Sequence, residues 1–537
     1  MPAAPHLAAP PHSMTDETVY QLTFWQRVLV LGTVVLGSTI YTATVLISSA
    51  LLPQMQGALS ATQDEISWTM TFNIVATAVA TPMTGWLAAR FGRRATMVWC
   101  ATGFSIATLF CGFANSLESL VFWRIVQGAA GAPLVPLGQA ILLDAFPQRQ
   151  HGFITAVYGM ANMIGPALGP TVGGQVSEEF GWRWGFWMVL PVALLTAVGF
   201  RFALPPDPDQ RRLALDWTGF LSLSIAIAGA QLVFSRGQRL DWFESTEVTV
   251  VTFVAVLALY VFIVHSLTAE KPFIRLRLLS DRNYALGLMM VTLFGMLNFA
   301  QIVLLPPLLQ QQAGYPDSAI GTFVGWRGIG AAIGFFAAMF LQRLDPRLTM
   351  LMGASAQAVT GFWMLTFDLN VSEFELGMNA CLQGISVGLA WVPMTVITFY
   401  TLAPEHRAEG MAMFHLLRNV GSSVFISVAV AEIVRATGAN YARMIESVSD
   451  YNRLWDLPWV SGAWSLETAQ STARFAREIT RQATMIGYTN AFVLYTAAAV
   501  AILPLCLFAR LSKTPREVAQ PATGSASNPG EVAGTKA

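Results

Sequence analysis

Fourteen separate stretches of this 537-residue chain are each apolar over about 20 residues, and this repetition restricts the fold more than any other feature. A helix of about 20 residues spans the hydrocarbon core of a bilayer, which is roughly 30 Å thick. The predicted fold is therefore an all-α integral membrane protein with fourteen transmembrane helices. Their centres lie near residues 39, 78, 105, 130, 163, 193, 224, 256, 296, 329, 357, 387, 420 and 498.

The composition agrees with a surface that is solvated by lipid. Apolar residues make up 54%, charged residues 12%, and the mean hydropathy is +0.53, whereas a soluble protein needs more polar surface. Basic and acidic residues balance at 31 each, so no net charge favours nucleic acid as a partner. The four cysteines and six histidines show no metal-ligand spacing, and neither a metal site nor an enzyme is predicted.

Basic residues divide the predicted loops into two classes. Arginine and lysine favour the cytoplasmic ends of spans. Alternate loops and the segments that flank the first and last spans carry eighteen of the 31, whereas the short loops on the other side hold only Arg183, Arg236 and Arg239. The long loop on that side is exempt, because long segments cross the membrane regardless of their charge. This asymmetry predicts a multi-pass protein of the cell inner membrane, embedded in the lipid bilayer with both termini in the cytoplasm.

An internal repeat divides the chain into two halves. Residues 88–97 (AARFGRRATM) align without a gap to residues 341–350 (LQRLDPRLTM), and Arg90 then matches Arg343 at an offset of 343 − 90 = 253. Chance similarity between apolar segments is the alternative. A duplicated bundle with a site between its halves is a common plan for secondary transporters, in which one half rocks against the other.

A second landmark supports the repeat, because Gln127-Gly128 recurs as Gln383-Gly384 at an offset of 383 − 127 = 256. Two six-helix halves with two inserted helices are implied. The predicted organisation is a disordered cytoplasmic tail at 1–24, a six-helix bundle at 25–204, the inserted helices at 205–268, a second six-helix bundle at 283–510 with a long periplasmic loop at 434–486, and a second disordered cytoplasmic tail at 511–537.

The segment GWLAARFGRR at 85–94 resembles the loop signature between the second and third helices of the major facilitator superfamily. Glycines let helix ends approach, and arginines bind helix-end carbonyls. Ala89 stands where many members carry aspartate, which puts the charge relay of that signature in doubt, and a purely topological role is the alternative for the arginines. The matching residues are Gly85, Arg90, Gly92, Arg93 and Arg94.

The fifth predicted helix carries GPALGPTVGG at 165–174, which resembles the signature that separates antiporters from uptake members of the superfamily. Small residues at every fourth position form a smooth stripe for close helix packing, and prolines remove backbone donors. The spacing alone predicts a tight, bendable contact, and the resemblance implies export. The residues are Gly165, Pro166, Gly169, Pro170, Gly173 and Gly174.

Three further strings resemble the fourteen-spanner drug:proton antiporter branch of EmrB/QacA type: WRWGFWMVLP at 182–191, RGQRLDWF at 236–243 and FHLLRNVGSSV at 414–424. The resemblance covers about residues 25–510. It implies secondary active efflux of small amphiphilic compounds, of the multidrug-resistance kind, by proton antiport and alternating access, with no cofactor beyond the proton gradient. The alternative is a proton-coupled importer or exporter of a specific anionic metabolite.

Polar residues at mid-depth of the spans form the candidate cavity and coupling site. RIVQG at 124–128 resembles the superfamily's Arg-x-x-Gln-Gly pattern. An arginine inside the membrane costs about 2.5–3.5 kcal/mol, so it marks a candidate site. The predicted residues are Arg124, Gln127, Asn73, Asn298, Gln301, Arg327, His415 and Arg418. The alternative is that the arginines only brace the bundle, satisfied by Asn298, Gln301, Asn419 and backbone carbonyls.

One departure from the branch concerns its proton carrier, because Thr44 stands at the usual position of a first-helix aspartate. Arginines without a carboxylate favour anionic or zwitterionic amphiphiles over permanent cations. The identity of the proton carrier stays open. One candidate is His415, although Arg418 one turn away disfavours its charged form. The others are Asp64 and Glu65 at the outer mouth.

The long outer loop ends in a predicted amphipathic helix at 464–486, with apolar residues every three to four positions. Such a helix must dock. It packs either on the transporter's own rim or on a periplasmic adaptor that forwards substrate to an outer-membrane channel, as the resemblance to this branch in Gram-negative bacteria implies.

Overall fold

The chain is described by a computed structural model over residues 22–206, 214–315, 317–341, 345–448 and 468–508. The regular structure of these ranges is helical throughout. The α-helices are α1 (Phe24–Ala58), α2 (Gln63–Ala80), α3 (Met83–Phe91), α4 (Arg93–Phe113), α5 (Leu117–Gly131), α6 (Leu134–Ala145), α7 (His151–Phe180), α8 (Trp182–Trp187), α9 (Leu190–Ala203), α10 (Trp217–Arg236), α11 (Thr246–Thr268), α12 (Arg282–Asn298), α13 (Ala300–Pro307), α14 (Asp317–Leu341), α15 (Pro346–Met364), α16 (Glu373–Tyr400), α17 (Arg407–Glu446) and α18 (Ala469–Phe508).

Length and hydropathy allow eleven helical segments of the described ranges to cross a membrane, or twelve if the bent pair α2 and α3 is one span. The all-helical membrane fold is thus confirmed, while the count of fourteen stays a prediction that depends on α7 and α15. Helix α15 has low hydropathy because it carries polar residues, yet Thr349, Gln357 and Thr360 are buried against protein rather than lipid.

Prolines and glycines break several of the predicted apolar runs. Helices α2 and α3 meet at 54° where Pro82 precedes α3, and Pro133 separates α5 from α6. Proline removes a backbone donor and clashes with the preceding turn, so a break at these positions has a local cause. Gly181 separates α7 from α8 through its φ of 87°, a conformation that favours glycine.

Tight helix pairs recur in the two predicted halves. In the first half α1 packs along α7, and in the second α14 packs along α16. The inserted helices α10 and α11 pack on each other, and α10 also contacts α2 and α17, so it touches both halves. One side of α11 is apolar and exposed, as expected for a face against lipid, with Phe253 68% and Tyr260 65% exposed.

The predicted loop at 434–486 is shorter than the sequence suggested. Helix α17 continues to Glu446, and the predicted amphipathic helix is the start of α18, one continuous helix from Ala469. The two helices are joined next to the predicted loop, where Asn490 Nδ2 donates to Glu432 Oε1 at 3.2 Å. Residues 449–467, 1–21 and 509–537, which include most of both predicted tails, lie outside the described residues.

The N-terminal part of α18 packs on the protein's own rim. Arg481 Nε donates to the backbone oxygen of Gln312 at 2.6 Å, and Arg481 also pairs with Glu478 at 3.4 Å. Docking on the rim, one of the two alternatives for this segment, is therefore part of the structure. A periplasmic adaptor stays a proposal.

Candidate functional site

The first polar crossing lies where α5 passes α2. Arg124 is only 1% exposed, and its guanidinium donates to Gln127 Oε1 on its own helix and, at 3.4 Å, to the backbone oxygen of Thr69. Asn73 Nδ2 donates to the backbone oxygen of Arg124 at 2.7 Å. The partners are neutral, so hydrogen bonds rather than an ion pair hold this buried charge.

Gly128 permits the close approach of the two helices at this crossing. A Cβ at that position would lie 2.9 Å from Asn73 Nδ2 and still nearer to the Asn73 backbone oxygen. The neighbouring Gln127 extends the network, since its Nε2 donates to Thr108 Oγ1 of α4 at 2.7 Å. One connected polar cluster therefore joins α2, α4 and α5.

The second crossing lies where α14 passes α16, and it is built around Arg327. This side chain is 6% exposed; its Nη2 donates to Asn298 O and Oδ1 at 2.7 and 2.8 Å, and its Nε donates to Gln383 Oε1 at 2.5 Å. A Cβ at Gly384 would collide with the Arg327 backbone oxygen. The glutamine-glycine pair thus occupies the helix crossing in both halves, while Arg343, another landmark of the repeat, lies outside the described residues.

Gln301 lies apart from the arginines. Its Nε2 donates to Asn379 Oδ1 at 2.9 Å and contacts Met364 Sδ at 3.3 Å, and Asn379 in turn donates to the Thr360 backbone. The interpretation that Gln301 satisfies an arginine is therefore replaced, because Gln383 and Asn298 hold Arg327. Gln301 ties α13 to α15 and α16.

His415 forms a contact between the two halves. Its Nε2 lies 2.8 Å from Gln139 Oε1 of α6, and both side chains are buried. The rings of Trp391 and Phe414 enclose the imidazole at centroid distances of 5.9 and 5.8 Å. Burial and this cross-half hydrogen bond mean that any change in the protonation of His415 acts directly on the packing of the halves.

Arg418 differs from the other two arginines in its surroundings. Its Nε and Nη2 approach Asn419 Oδ1 at 3.3 and 3.1 Å, its guanidinium lies 5.6 Å from the centre of the Trp391 ring, and the side chain is only partly buried. Across the described ranges Asn419 is its only hydrogen-bond partner. Because a guanidinium has five donors, Arg418 has the most capacity of the three to bind a ligand.

Thr44 cannot replace the aspartate of the related branch. The side chain is 1% exposed, and its hydroxyl donates to the Ile40 backbone oxygen at 2.6 Å within α1. Among the described residues, no carboxylate is hydrogen-bonded to Arg124, Arg327 or Arg418. The side chain of Asp64, one of the proposed alternatives, lies outside the described residues.

A fully buried carboxylate that binds two arginines lies instead at the predicted cytoplasmic face. Asp144, whose side chain is fully buried, accepts from Arg93 of the loop motif and, at 2.5 Å, from Arg407 Nη1 of the second half. Arg94 donates to the Arg201 backbone oxygen at 2.5 Å. In the loop motif, Ala89 replaces the aspartate, and the carboxylate that binds Arg93 is Asp144 at the end of α6.

Backbone geometry supports the same face. Gly92 has a φ of 86° between α3 and α4, a left-handed conformation that favours glycine. A Cβ at Gly85 would lie 3.0 Å from Glu409 Cα of α17, so the two halves approach closely here. Arg90, the remaining residue of the motif, lies near the end of α3.

The stripe of small residues on α7 lies against α1. A Cβ would meet the Thr39 backbone oxygen at 2.6 Å from Gly165, the Ala43 backbone oxygen at 2.9 Å from Gly169, and an Ile47 methyl at 2.9 Å from Gly173. Gly174 has open space instead. Pro166 is partly buried, and the side chain of Pro170 lies outside the described residues.

The family follows from comparison with known proteins. The model of the Major Facilitator Superfamily matches residues 33–426. The chain belongs to the major facilitator superfamily. It is 29% identical over 480 residues to "Multidrug export protein EmrB" of Escherichia coli (strain K12), covering 86% of this chain and 91% of the relative. It is 27% identical over 474 residues to "Fatty acid resistance protein FarB" of Neisseria gonorrhoeae, covering 86% and 92%. These matches confirm the predicted resemblance to the EmrB/QacA branch.

Solved structures show the same fold. The human organic anion transporter MFSD10 aligns with a TM-score of 0.57 at 16% identity, covering 88% of this chain and 99% of that one. The proton:xylose symporter XylE aligns with a TM-score of 0.56 at 14% identity, covering 89% and 96%. At such identities the likeness concerns the superfamily fold alone.

Four residues of this superfamily member were not assigned a site role from the sequence. Gln139 contacts His415, and Asp144 contacts both Arg93 and Arg407. Gln383 contacts Arg327, and Trp391 contacts Arg418. The repeat offset already pointed to Gln383 as the counterpart of Gln127. For the other three, no local sequence signal identifies the partner.

Proposed function

We propose that this protein is a secondary active efflux transporter that exports small amphiphilic compounds across the inner membrane by proton antiport with alternating access. Its similarity to proteins named for multidrug export and fatty acid resistance extends over nine-tenths of their lengths. The proposal includes α7 and α15 as membrane spans, which gives fourteen, and places both termini in the cytoplasm.

Arg418 carries the substrate side of the proposal. Its guanidinium faces one neutral amide oxygen and an indole ring, which together offer donors to an anionic group and a flat apolar surface beside it. Hydrogen bonds to a charged group contribute about 1.5–3 kcal/mol each. Amphiphiles with a carboxylate, sulfonate or phosphate are therefore the favoured class, whereas Arg124 and Arg327 act as braces.

The cytoplasmic cluster supports alternating access. Asp144 binds one arginine from each half, and His415 binds Gln139 across the same interface. Opening toward the cytoplasm must separate these pairs. We assign His415 as the first candidate for proton coupling, because its hydrogen bond lies on this interface between the halves.

Efflux of matched anionic and cationic dyes tests the role of Arg418. In cells expressing Arg418→Gln, we expect export of the anionic dye to fall roughly ten- to hundred-fold, the range of one charged hydrogen bond. Arg418→Lys should retain part of the preference, and Arg443→Gln, an exposed arginine further along α17, serves as the matched control. Unchanged anionic export in Arg418→Gln would remove Arg418 from the substrate site.

The second candidate, transport of one specific anionic metabolite, is favoured by the same arginine. A panel of chemically unrelated amphiphiles separates the two. Export of many members supports the multidrug proposal, whereas a single transported anion supports the metabolite transporter. Adding an uncoupler to the same assay tests proton antiport: export that continues after the proton gradient has collapsed excludes it, and His415→Gln should abolish the dependence on the gradient.

A further inference from the structure

A cavity of about 500 Å³ lies away from the candidate site, between the loop that joins α10 to α11 and the middle parts of α17 and α18. One wall is apolar and consists of Val428, Ala431, Val493 and Leu494. The rest is polar or aromatic. The string RGQRLDWF, which the transport site does not use, forms part of this surface.

The depth of the cavity follows from the helix rise. Glu432 lies 432 − 407 = 25 residues along α17 from Arg407, which is about 38 Å at 1.5 Å per residue. Asn490 lies 508 − 490 = 18 residues from the end of α18, or about 27 Å. Since the hydrocarbon core is roughly 30 Å thick, these two distances bracket its border on the side opposite Arg407, and the hydrogen-bonded pair of Glu432 and Asn490 lies near that border.

The polar wall presents both signs of charge side by side. Arg435 donates to Glu432 Oε2 through Nε at 3.0 Å and through Nη2 at 2.8 Å, and Asn490 donates to Glu432 Oε1 at 3.2 Å. The Glu432 side chain is 20% exposed, whereas that of Arg435 is 78% exposed. A held carboxylate therefore faces the cavity beside a mostly exposed guanidinium, which stays paired with Glu432 and has further N–H groups that can donate to a ligand.

Trp242 lines the cavity in a constrained position. Asp241 and Trp242 both have a φ of 53°, in the left-handed region, which costs about 1–3 kcal/mol for each residue. The indole packs on Gly237, where a Cβ would lie 2.9 Å from the ring, and its N–H donates to Gln238 Oε1 at 3.0 Å. Backbone strain and these contacts hold an aromatic ring at the membrane interface, where tryptophan is favoured.

We propose that this cavity binds a membrane phospholipid whose zwitterionic head group carries a primary ammonium, the phosphatidylethanolamine class. The ammonium donates to Glu432 and to the Asn490 amide oxygen, the phosphate accepts from Arg435, and an acyl chain lies along the apolar wall beneath Trp242. An anionic lipid without an ammonium would add a net negative charge to a pair whose charges already cancel, whereas a zwitterionic head group offers a partner to each member of the pair. This proposal rests on the proposed function only for which of the two membrane leaflets supplies the lipid.

Native mass spectrometry of the purified full-length protein tests this site without measuring transport. Phosphatidylethanolamine, phosphatidylcholine and phosphatidylglycerol with identical acyl chains are titrated against wild type, Glu432→Gln, Trp242→Ala and the control Trp99→Ala, an exposed tryptophan of α4. We expect wild type to prefer phosphatidylethanolamine, Glu432→Gln to weaken it about ten-fold and leave the other two lipids unchanged, and Trp99→Ala to match wild type.

Three results would overturn the proposal. They are equal binding of the three lipids by wild type, undiminished binding of phosphatidylethanolamine by Glu432→Gln, and a loss of lipid binding in Trp99→Ala as large as that in Trp242→Ala. Glu432→Gln preserves side-chain volume, and a thermal melt of each variant separates loss of the fold from loss of the lipid. Because no substrate is present, a failure here leaves the efflux proposal untouched.

Discussion

The two halves of the molecule build the same helix crossing but take its buried arginine from different helices. In the first half, Arg124 and Gln127 share α5, and the guanidinium is satisfied partly within its own helix. In the second half, Arg327 comes from α14 and binds Gln383 on α16 and Asn298 on α12. The crossing is thus set by the repeated glycine, whereas the position of the arginine decides how many helices its charge ties together.

The halves also differ at the position of Arg418. An offset of 256 places Asn162 opposite Arg418 in the repeat, and Asn162 donates to Ser38 Oγ at 3.3 Å and to the Tyr158 backbone oxygen at 2.9 Å. The first half therefore supplies a neutral amide at the place where the second half supplies a partly satisfied cation. At this pair of positions, only the second half carries a positive charge.

The largest effect is expected from the glycines of the crossing. In Gly384→Ala, the new Cβ would meet backbone atoms of Arg327 and Ala331, which cannot move aside as side chains do. Overpacking of this kind costs about 1–3 kcal/mol or more, so the thermal unfolding temperature of the purified protein should fall clearly. Gly128→Ala should behave alike, because its Cβ would meet the Asn73 backbone.

Gly325→Ala is the matched control for these variants. Gly325 lies on α14 near Arg327, but a Cβ there has no neighbour within 4 Å. Alanine is favoured over glycine inside a helix by about 1 kcal/mol, so this variant should unfold at or above the wild-type temperature. Equal unfolding temperatures for Gly384→Ala and Gly325→Ala would disprove the role of the close crossing.

The next effect compares the two buried arginines. Arg327→Gln removes the charged donor shared by Asn298 and Gln383, and the glutamine amide can replace only part of that bonding, so the loss should be that of about one unsatisfied group, about 1–3 kcal/mol. Arg124→Gln loses fewer bonds between helices and should be milder. Thermal unfolding of both variants in the same detergent checks the order, and a larger loss in Arg124→Gln would reverse the comparison.

The sequence predicts the repeat and the polar positions better than it predicts their partners. The offset near 256 pointed to the second glutamine-glycine pair, because a duplicated crossing keeps its small residue. The partner of His415 lies 276 residues away at Gln139, and no spacing reveals a contact that depends on how two bundles dock. The prolines at the helix breaks, Pro82 and Pro133, are visible in the sequence. A hydropathy average over about 20 residues does not show such breaks.

The inserted helices lie outside the repeat and provide a milder test. Asp216 caps α10 by accepting from Gly219 N at 3.0 Å, and it also accepts from Phe273 N at 3.0 Å and binds His265 Nε2 at 2.9 Å. Asp216→Ala should lower the unfolding free energy by roughly 1–2 kcal/mol, as for other lost helix caps. A loss as large as that of Gly384→Ala would show that the insert, and not the repeat, limits stability.

This contribution of Asp216 should depend on pH. Partial burial raises the pKa of the carboxyl, but hydrogen bonds from Gly219, His265 and Phe273 outweigh it and lower the pKa below 3.8. A lowered folded-state pKa stabilises the protein above the unfolded value, and the gain disappears as the pH falls through the folded value. The difference in unfolding temperature between wild type and Asp216→Ala should therefore be present at pH 7 and shrink below about pH 4.

The smallest effect is expected at the other end of the inserted pair, where Arg236 Nη1 contacts Glu247 Oε1 at 2.6 Å. Both side chains are well exposed, at 31% and 51%, and exposed ion pairs contribute about 0.2–1 kcal/mol. Arg236→Gln should lower the unfolding temperature only slightly, and added salt should remove the difference because it screens exposed charges. A large, salt-independent loss would show that this end of the insert, like the arginines of the crossings, holds its charge away from water.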